Sequence, residues 1–136
     1  MRISVTRLCI APPDRIWPWL VDPHLHVRTL PSSVSQIEVR DNGDIACRVS
    51  AMGIGEHMVV RVVERDEPWR MVERRVDGGR DATTTFELSA NGSGTLVTVV
   101  SEIDLPRLLA VVARSHAERG LRQELEQLDR LSSAAP

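Results

Sequence analysis

Six segments of period-two hydrophobicity follow one another between residues 34 and 104, and one long stripe of helical period follows them. The segments are 34-VSQIEVR-40, 45-IACRVSA-51, 56-EHMVVRVVER-65, 69-WRMVERRVD-77, 81-DATTTFELS-89 and 95-TLVTVVSEID-104. Alternation of this kind marks strands with one buried face. The separators 41-DNGD-44, 52-MGIG-55, 66-DEP-68, 78-GG-79 and 91-NGSG-94 carry the residues that reverse a chain. Links this short join antiparallel neighbours, because a parallel return needs a crossover of a dozen or more residues. An antiparallel meander is expected. Residues 2–10 alternate as well: Ile3, Val5 and Cys9 share one face with Arg7, and Leu8 and Ile10 take the other. This first strand is expected at the sheet edge.

Between it and the meander, Pro12 or Pro13 suits a first helical turn, Asp14 suits the positive helix end, and Pro18 keeps the helix short. A second short segment can be capped by Asp22 and started by Pro23. The long stripe begins near Pro106, with Asp104 as its expected cap. Ala110, Ala113, Ala117, Leu121, Leu125, Leu128 and Leu131 trace it, with Glu124 expected to turn away. Arg114, Glu118, Arg122, Glu126 and Arg130 alternate in sign four apart on the other side. Gly120 interrupts the helix. It marks either close packing or a tolerated defect, or else a bend with extra room beneath. Residues 1–131 are expected to form one α+β domain, and residues 132–136 a frayed, disordered tail.

A chain of 136 residues can bury a core without staples. Its net charge of -2, from 17 basic and 19 acidic groups, speaks against nucleic acid as a partner. Arginines alternate with acids in 61-RVVERDEPWRMVERRVDGGRD-81, a pattern suited to cross-strand ion pairs on a solvated sheet face. Cys9 and Cys47 lie in strands among apolar neighbours and read as buried thiols. No apolar run reaches the roughly 18 residues that span a bilayer. The N-terminus lacks a signal-peptide pattern, so a cytoplasmic monomer or homodimer is expected. Nothing indicates a cofactor. His24 and His26 have no third ligand at recognisable spacing, so no metal site is expected.

One helix cannot cover six or seven flat strands. The sheet is expected to curl around it and enclose more space than its side chains fill. This order resembles the START-like, or SRPBCC, superfamily of polyketide cyclases/dehydrases and lipid-transport proteins. The resemblance rests on 11-APPDRIWPWLVDP-23, 56-EHMVVRVVERDEPWRMVERRV-76, 84-TTFELSANGSGTLVTVV-100 and 108-LLAVVARSHAERGLRQELEQLDRL-131, and covers almost the whole chain. It implies a helix-grip fold, with a seven-stranded curved antiparallel sheet around the C-terminal helix and two short helices after the first strand. It also implies an apolar cavity for a hydrophobic or amphipathic small molecule.

His57, Arg61 and Glu73 are the polar candidates. His57 and Arg61 are four apart on one strand, and Glu73 shares a face with Trp69, Met71 and Arg75. Either these faces line the cavity, where His57 and Glu73 can move a proton, or they form a solvent-facing charge ladder. His116 on the helix is either a half-buried structural histidine or a general base. Candidate ligand contacts are Trp17, His24, Arg61, Trp69, Met71, Thr84, Phe86, Leu109, Ala113 and Ala117. Three functions are open at this point: small-molecule binding, a cyclase or aromatase that uses His57, Glu73 or His116, and a co-chaperone-like interaction module with a filled core.

Overall fold

The computed structural model describes residues 1–51 and 53–134. Met52 of the 52–55 turn and Ala135 and Pro136 of the expected tail lie outside the described residues. The elements are β1 (Arg2–Cys9), α1 (Pro13–Val21), α2 (Pro23–His26), β2 (Val34–Val39), β3 (Ile45–Ala51), β4 (Ile54–Asp66), β5 (Arg70–Arg75), β6 (Ala82–Asn91), β7 (Gly94–Ile103) and α3 (Arg107–Ser133). All seven strands form one antiparallel sheet in the order β1-β7-β6-β5-β4-β3-β2. The meander and the edge position of β1 are as expected. The sheet curves around α3 as a half-barrel, which is the helix-grip fold.

The core gathers Ile3, Val5 and Cys9 of β1, Met71 of β5, Phe86 and Leu88 of β6, and Val97 and Val99 of β7. Ile16, Trp17 and Leu20 of α1 and Leu125 and Leu128 of α3 close it. Burial of each large side chain contributes roughly 1.5–3 kcal/mol. Asp129 pins α3 to the sheet. Its carboxylate accepts from Arg7 Nε and from the Ile10 backbone N–H, both at 3.0 Å. The outer face carries the expected ion pairs, among them Arg70 between Glu64 and Glu87. The edge strand β2 is irregular: Gln36 has φ 51°, and the register shifts between Ser35 and Glu38. Such a kink blunts a sheet edge against further pairing.

Three expectations are corrected at α3. Pro106, not Asp104, occupies the N-cap position, and no side chain caps it; the Asp104 N–H instead donates to the Asp81 carbonyl. The helix continues through Ser133, and the buried Ser132 hydroxyl donates to the Leu128 carbonyl, so helix replaces fraying at these two residues. Glu124 does not turn away but is buried, at 7 % exposure.

Gly120 has room around it. A Cβ there would meet Pro31 and Ser33 only at 3.8 Å or beyond. Gly94 is the reverse case, because a Cβ there would collide with the Cys9 carbonyl oxygen of β1. The two glycines should respond with opposite signs. Gly120→Ala is expected to raise the unfolding free energy by about 1 kcal/mol. Gly94→Ala is expected to lower it by about 1–3 kcal/mol. Urea denaturation of both variants measures the contrast, and a loss at Gly120 would show that the helix needs its glycine.

Candidate functional site

The faces of the sheet follow from its register. Glu73 stands opposite Val62 and Thr84, Thr84 opposite Ser101, and Ser101 opposite Ile3. Residues directly opposite share a face. Ile3 belongs to the core under α3, so Glu73 points inward, with its side chain 14 % exposed. His57 stands opposite Arg48, and Arg61 opposite Arg74, one residue out of phase with Glu73. His57 and Arg61 therefore face outward, and the expected convergence of either with Glu73 does not occur. Arg61 instead binds Asp44 through two 2.8 Å hydrogen bonds. That guanidinium holds the Asp44 carboxyl below its ordinary range.

The partner of Glu73 comes from α2. The Asp22 carboxylate accepts from the His24 N–H at 3.0 Å and caps the helix as its sequence predicts. This leaves His24 exposed and turns His26 inward, at 2 % exposure. His26 Nδ1 lies 3.1 Å from the Trp19 carbonyl, which can only accept, so Nδ1 carries a proton. The imidazole meets Phe86 edge to face, with centroids 5.9 Å apart. Nε2 lies 3.3 Å from Glu73 Oε2 as an ion pair, yet the geometry is not that of a hydrogen bond and Nε2 has no hydrogen-bond partner.

Glu124 brings a third titratable group from above. Burial raises its pKa to about 7; the His26 charge opposes this and the Glu73 charge adds to it. Burial alone would lower the His26 pKa. The contact with Glu73 and its charge, then the Glu124 charge and the Trp19 carbonyl, outweigh that and raise it to about 9. One imidazolium and two carboxyl groups thus meet on the inner face. The Cys47 thiol, on the same side of β3, is pushed up to about 11, by burial first and then by the Glu73 charge. Burial likewise pushes Cys9 up to about 12. Neither thiol is poised as a nucleophile.

The space around this cluster is uneven. Leu125 and Leu128 of α3 are fully buried, whereas Ala110, Ala113 and Ala117 are half-buried. The sheet matches them. Val49, Met58, Val60 and Thr84 are half-buried inner-face residues, and Val62 packs at the edge of the core. His116 Nε2 meets the Ser50 carbonyl at 3.2 Å and ties α3 to the end of β3. It is half-buried and held by backbone. Beyond it, Leu108, Leu109, Val111 and Val112 are exposed apolar residues. Ile54, at the start of β4, is exposed too, at 75 %.

The remaining candidates separate. Trp17, Met71 and Phe86 pack into the sealed core rather than a ligand surface, at 5 %, 0 % and 1 % exposure. Trp69 is largely exposed, just before β5. Thr84 and Ala113 are half-buried, and Ala117, also half-buried, packs against the core. Two open surface grooves lie elsewhere. One, of about 400 Å³, includes His57, Ala46 and Val59 on the outer face. The other, of about 510 Å³, lies between α1 and the end of α3. Neither is lined by His26, Glu73 or Glu124, and the first takes residues from both faces of β3 and β4, Cys47 and Met58 among them. Among the described residues, no group of three or more histidine, cysteine, aspartate or glutamate side chains could hold a metal ion.

Comparison with known proteins agrees with this architecture. The chain is similar to solved structures over nearly its full length. Protein CV1439 from Chromobacterium violaceum is 23% identical, covering 98% of this chain and 99% of its own, with a TM-score of 0.72. TTHA0849 from Thermus thermophilus is 20% identical, covering 99% and 100%, with a TM-score of 0.77. The KanY protein is 14% identical, covering 98% of each chain, with a TM-score of 0.85. At these identities the likeness is one of fold. No curated protein sequence matches the chain. The family profile described as polyketide cyclase / dehydrase and lipid transport matches residues 1–133, and the chain belongs to that family.

Proposed function

We propose that this protein binds a hydrophobic or amphipathic small molecule between the alanine-rich half of α3 and the inner face of β3–β6. The observation that carries this reading is the division along α3. Leu125 and Leu128 seal the core, while Ala110 and Ala113 of the same helix are only half-buried, as are Val49, Met58 and Val60 on the inner face of the sheet. Apolar lining with a few polar groups is the usual composition of small-molecule sites. Family membership supports the same reading. The exposed apolar residues at the start of α3 suit the rim of an entrance.

Uptake of the neutral fluorescent probe N-phenyl-1-naphthylamine tests the site. The wild type should bind it. Ala113→Trp, which fills the space without touching the sealed core, should weaken binding at least tenfold with little change in melting temperature. Equal binding by both proteins places the probe elsewhere and excludes this site. Native mass spectrometry of freshly purified protein identifies any retained molecule.

A second reading is favoured by the meeting of His26, Glu73 and Glu124. Three titratable groups meeting on the inner face suit proton transfer at a carbon next to a carbonyl, as a cyclase or aromatase requires. That reading requires solvent hydrogen exchange at such a carbon to be catalysed; binding without exchange leaves the first reading alone.

A further inference from the structure

Resting on the binding site above, we infer that the polar group the ligand buries is an uncharged hydroxyl or ketone oxygen, and that amphiphiles ending in a carboxylate are rejected. The inference begins at His26. Its ring is 2 % exposed, and Nε2 has no hydrogen-bond partner; with Nδ1 protonated and the Glu73 carboxylate 3.3 Å away, the imidazolium makes Nε2 a buried donor. Buried donors are almost always satisfied. One left open beside a half-open apolar region is a ready position for an incoming acceptor.

The neighbouring charges decide which acceptor. Glu73 faces Nε2 at 3.3 Å, and Glu124, at 7 % exposure, acts on both groups from α3. The single imidazolium is already matched by Glu73. A ligand carboxylate entering here would meet the Glu73 carboxylate with no unmatched cation, in a region where charges are poorly screened. A neutral oxygen meets no such repulsion and can accept from Nε2. Burial keeps Glu124 protonated up to about pH 7, so it too can donate to that oxygen. Polar groups continue along the same register line. Thr84 and Ser101 follow Glu73 across β6 and β7 on the inner face, with strands about 4.8 Å apart. Hydroxyls at this spacing suit a second neutral oxygen. A cationic head group is the weaker fit, because the protonated Nε2 occupies the point of approach.

Displacement of bound N-phenyl-1-naphthylamine by four ten-carbon amphiphiles at pH 6.5 tests the inference. 1-Decanol and 2-decanone should displace the probe at concentrations at least tenfold below those needed for decanoate or decylamine. In the Glu73→Gln, Glu124→Gln double variant, the imidazolium has no acidic neighbour left, and the decanoate penalty should shrink to less than threefold. Circular dichroism confirms that the variant is folded, and the wild-type series decides the matter if it is not. Decanoate as effective as decanol on the wild type overturns the inference, as does decylamine the most effective of the four. Either result leaves the binding site standing. Failure of the folded wild type to take up the neutral probe overturns the binding site itself.

Discussion

Replacing His26 with leucine should lower the unfolding free energy by about 3–5 kcal/mol at pH 8, the cost of removing one partner of a buried ion pair. The imidazole is 2 % exposed and stands between Glu73 and Glu124. Leucine fills much of its volume against Phe86, so the loss is chiefly electrostatic. At pH 5 the loss should be larger still, because the His26 proton contributes its full stability below pH 6.5 and part of that is already gone at pH 8. The Glu73→Gln change in the His26→Leu background should recover part of the stability at pH 8. Guanidinium denaturation at the two pH values gives the comparison. An equal loss at both would mean that His26 acts by packing against Phe86 and not by its charge.

The second large effect is a decline in stability toward alkaline pH. His26 holds its proton in the folded protein to about pH 9 but in the unfolded chain only to about 6.5. Its contribution is whole below pH 6.5 and is lost as pH rises through 9. Glu124 holds its proton to about pH 7 when folded and to about 4.5 when unfolded. The folded chain therefore carries the extra proton between 4.5 and 7, and stability falls across that interval too. Each interval carries on the order of 3 kcal/mol at 1.36 kcal/mol per pKa unit, and because the two groups act on each other the total is less than their sum. Asp44 and Asp77, both lowered first by their arginine hydrogen bonds, contribute stability that is lost only at lower pH. The maximum should lie near pH 5. Glu124→Gln should flatten the limb between pH 4.5 and 7 and leave that above 7 in place. A flat wild-type profile from pH 5 to 9 would remove the buried proton from the account.

The strands and the long helix are legible in the sequence because each buries one face, and burial writes a period into the chain. The site is less legible, for three separate reasons. Sequence spacing offers His57 as a partner for Glu73, but strands have period two and the β4–β5 register puts them on opposite faces. Register is a property of the paired strands, not of either segment. His24 is the candidate from sequence and His26 the residue that turns inward; two positions apart on a helix lie roughly 200° apart, so only one can do so. The Asp22 cap fixes which helical turn they occupy but not how that turn docks. Glu124 is the readable case: it lies three residues after Leu121 and four before Leu128, on the apolar stripe itself. Its charge suggests solvent, but its period says core. A carboxylate on a buried stripe is a stronger sign of a site than one in a strand of alternating charges.

The pairing of β1 with β7 also sets an order of events during synthesis. Thr6 meets Thr98 across 92 residues, and Arg7 reaches Asp129 across 122. β1 leaves the ribosome well before β7, its one neighbour in the sheet. Strands β2 to β6 can zip by local hairpins in the meantime, but the sheet gains its last edge only once β7 has been made, and α3 its anchor only once Asp129 has. The apolar face of β1, with Ile3, Val5 and Cys9, must wait uncovered through that interval.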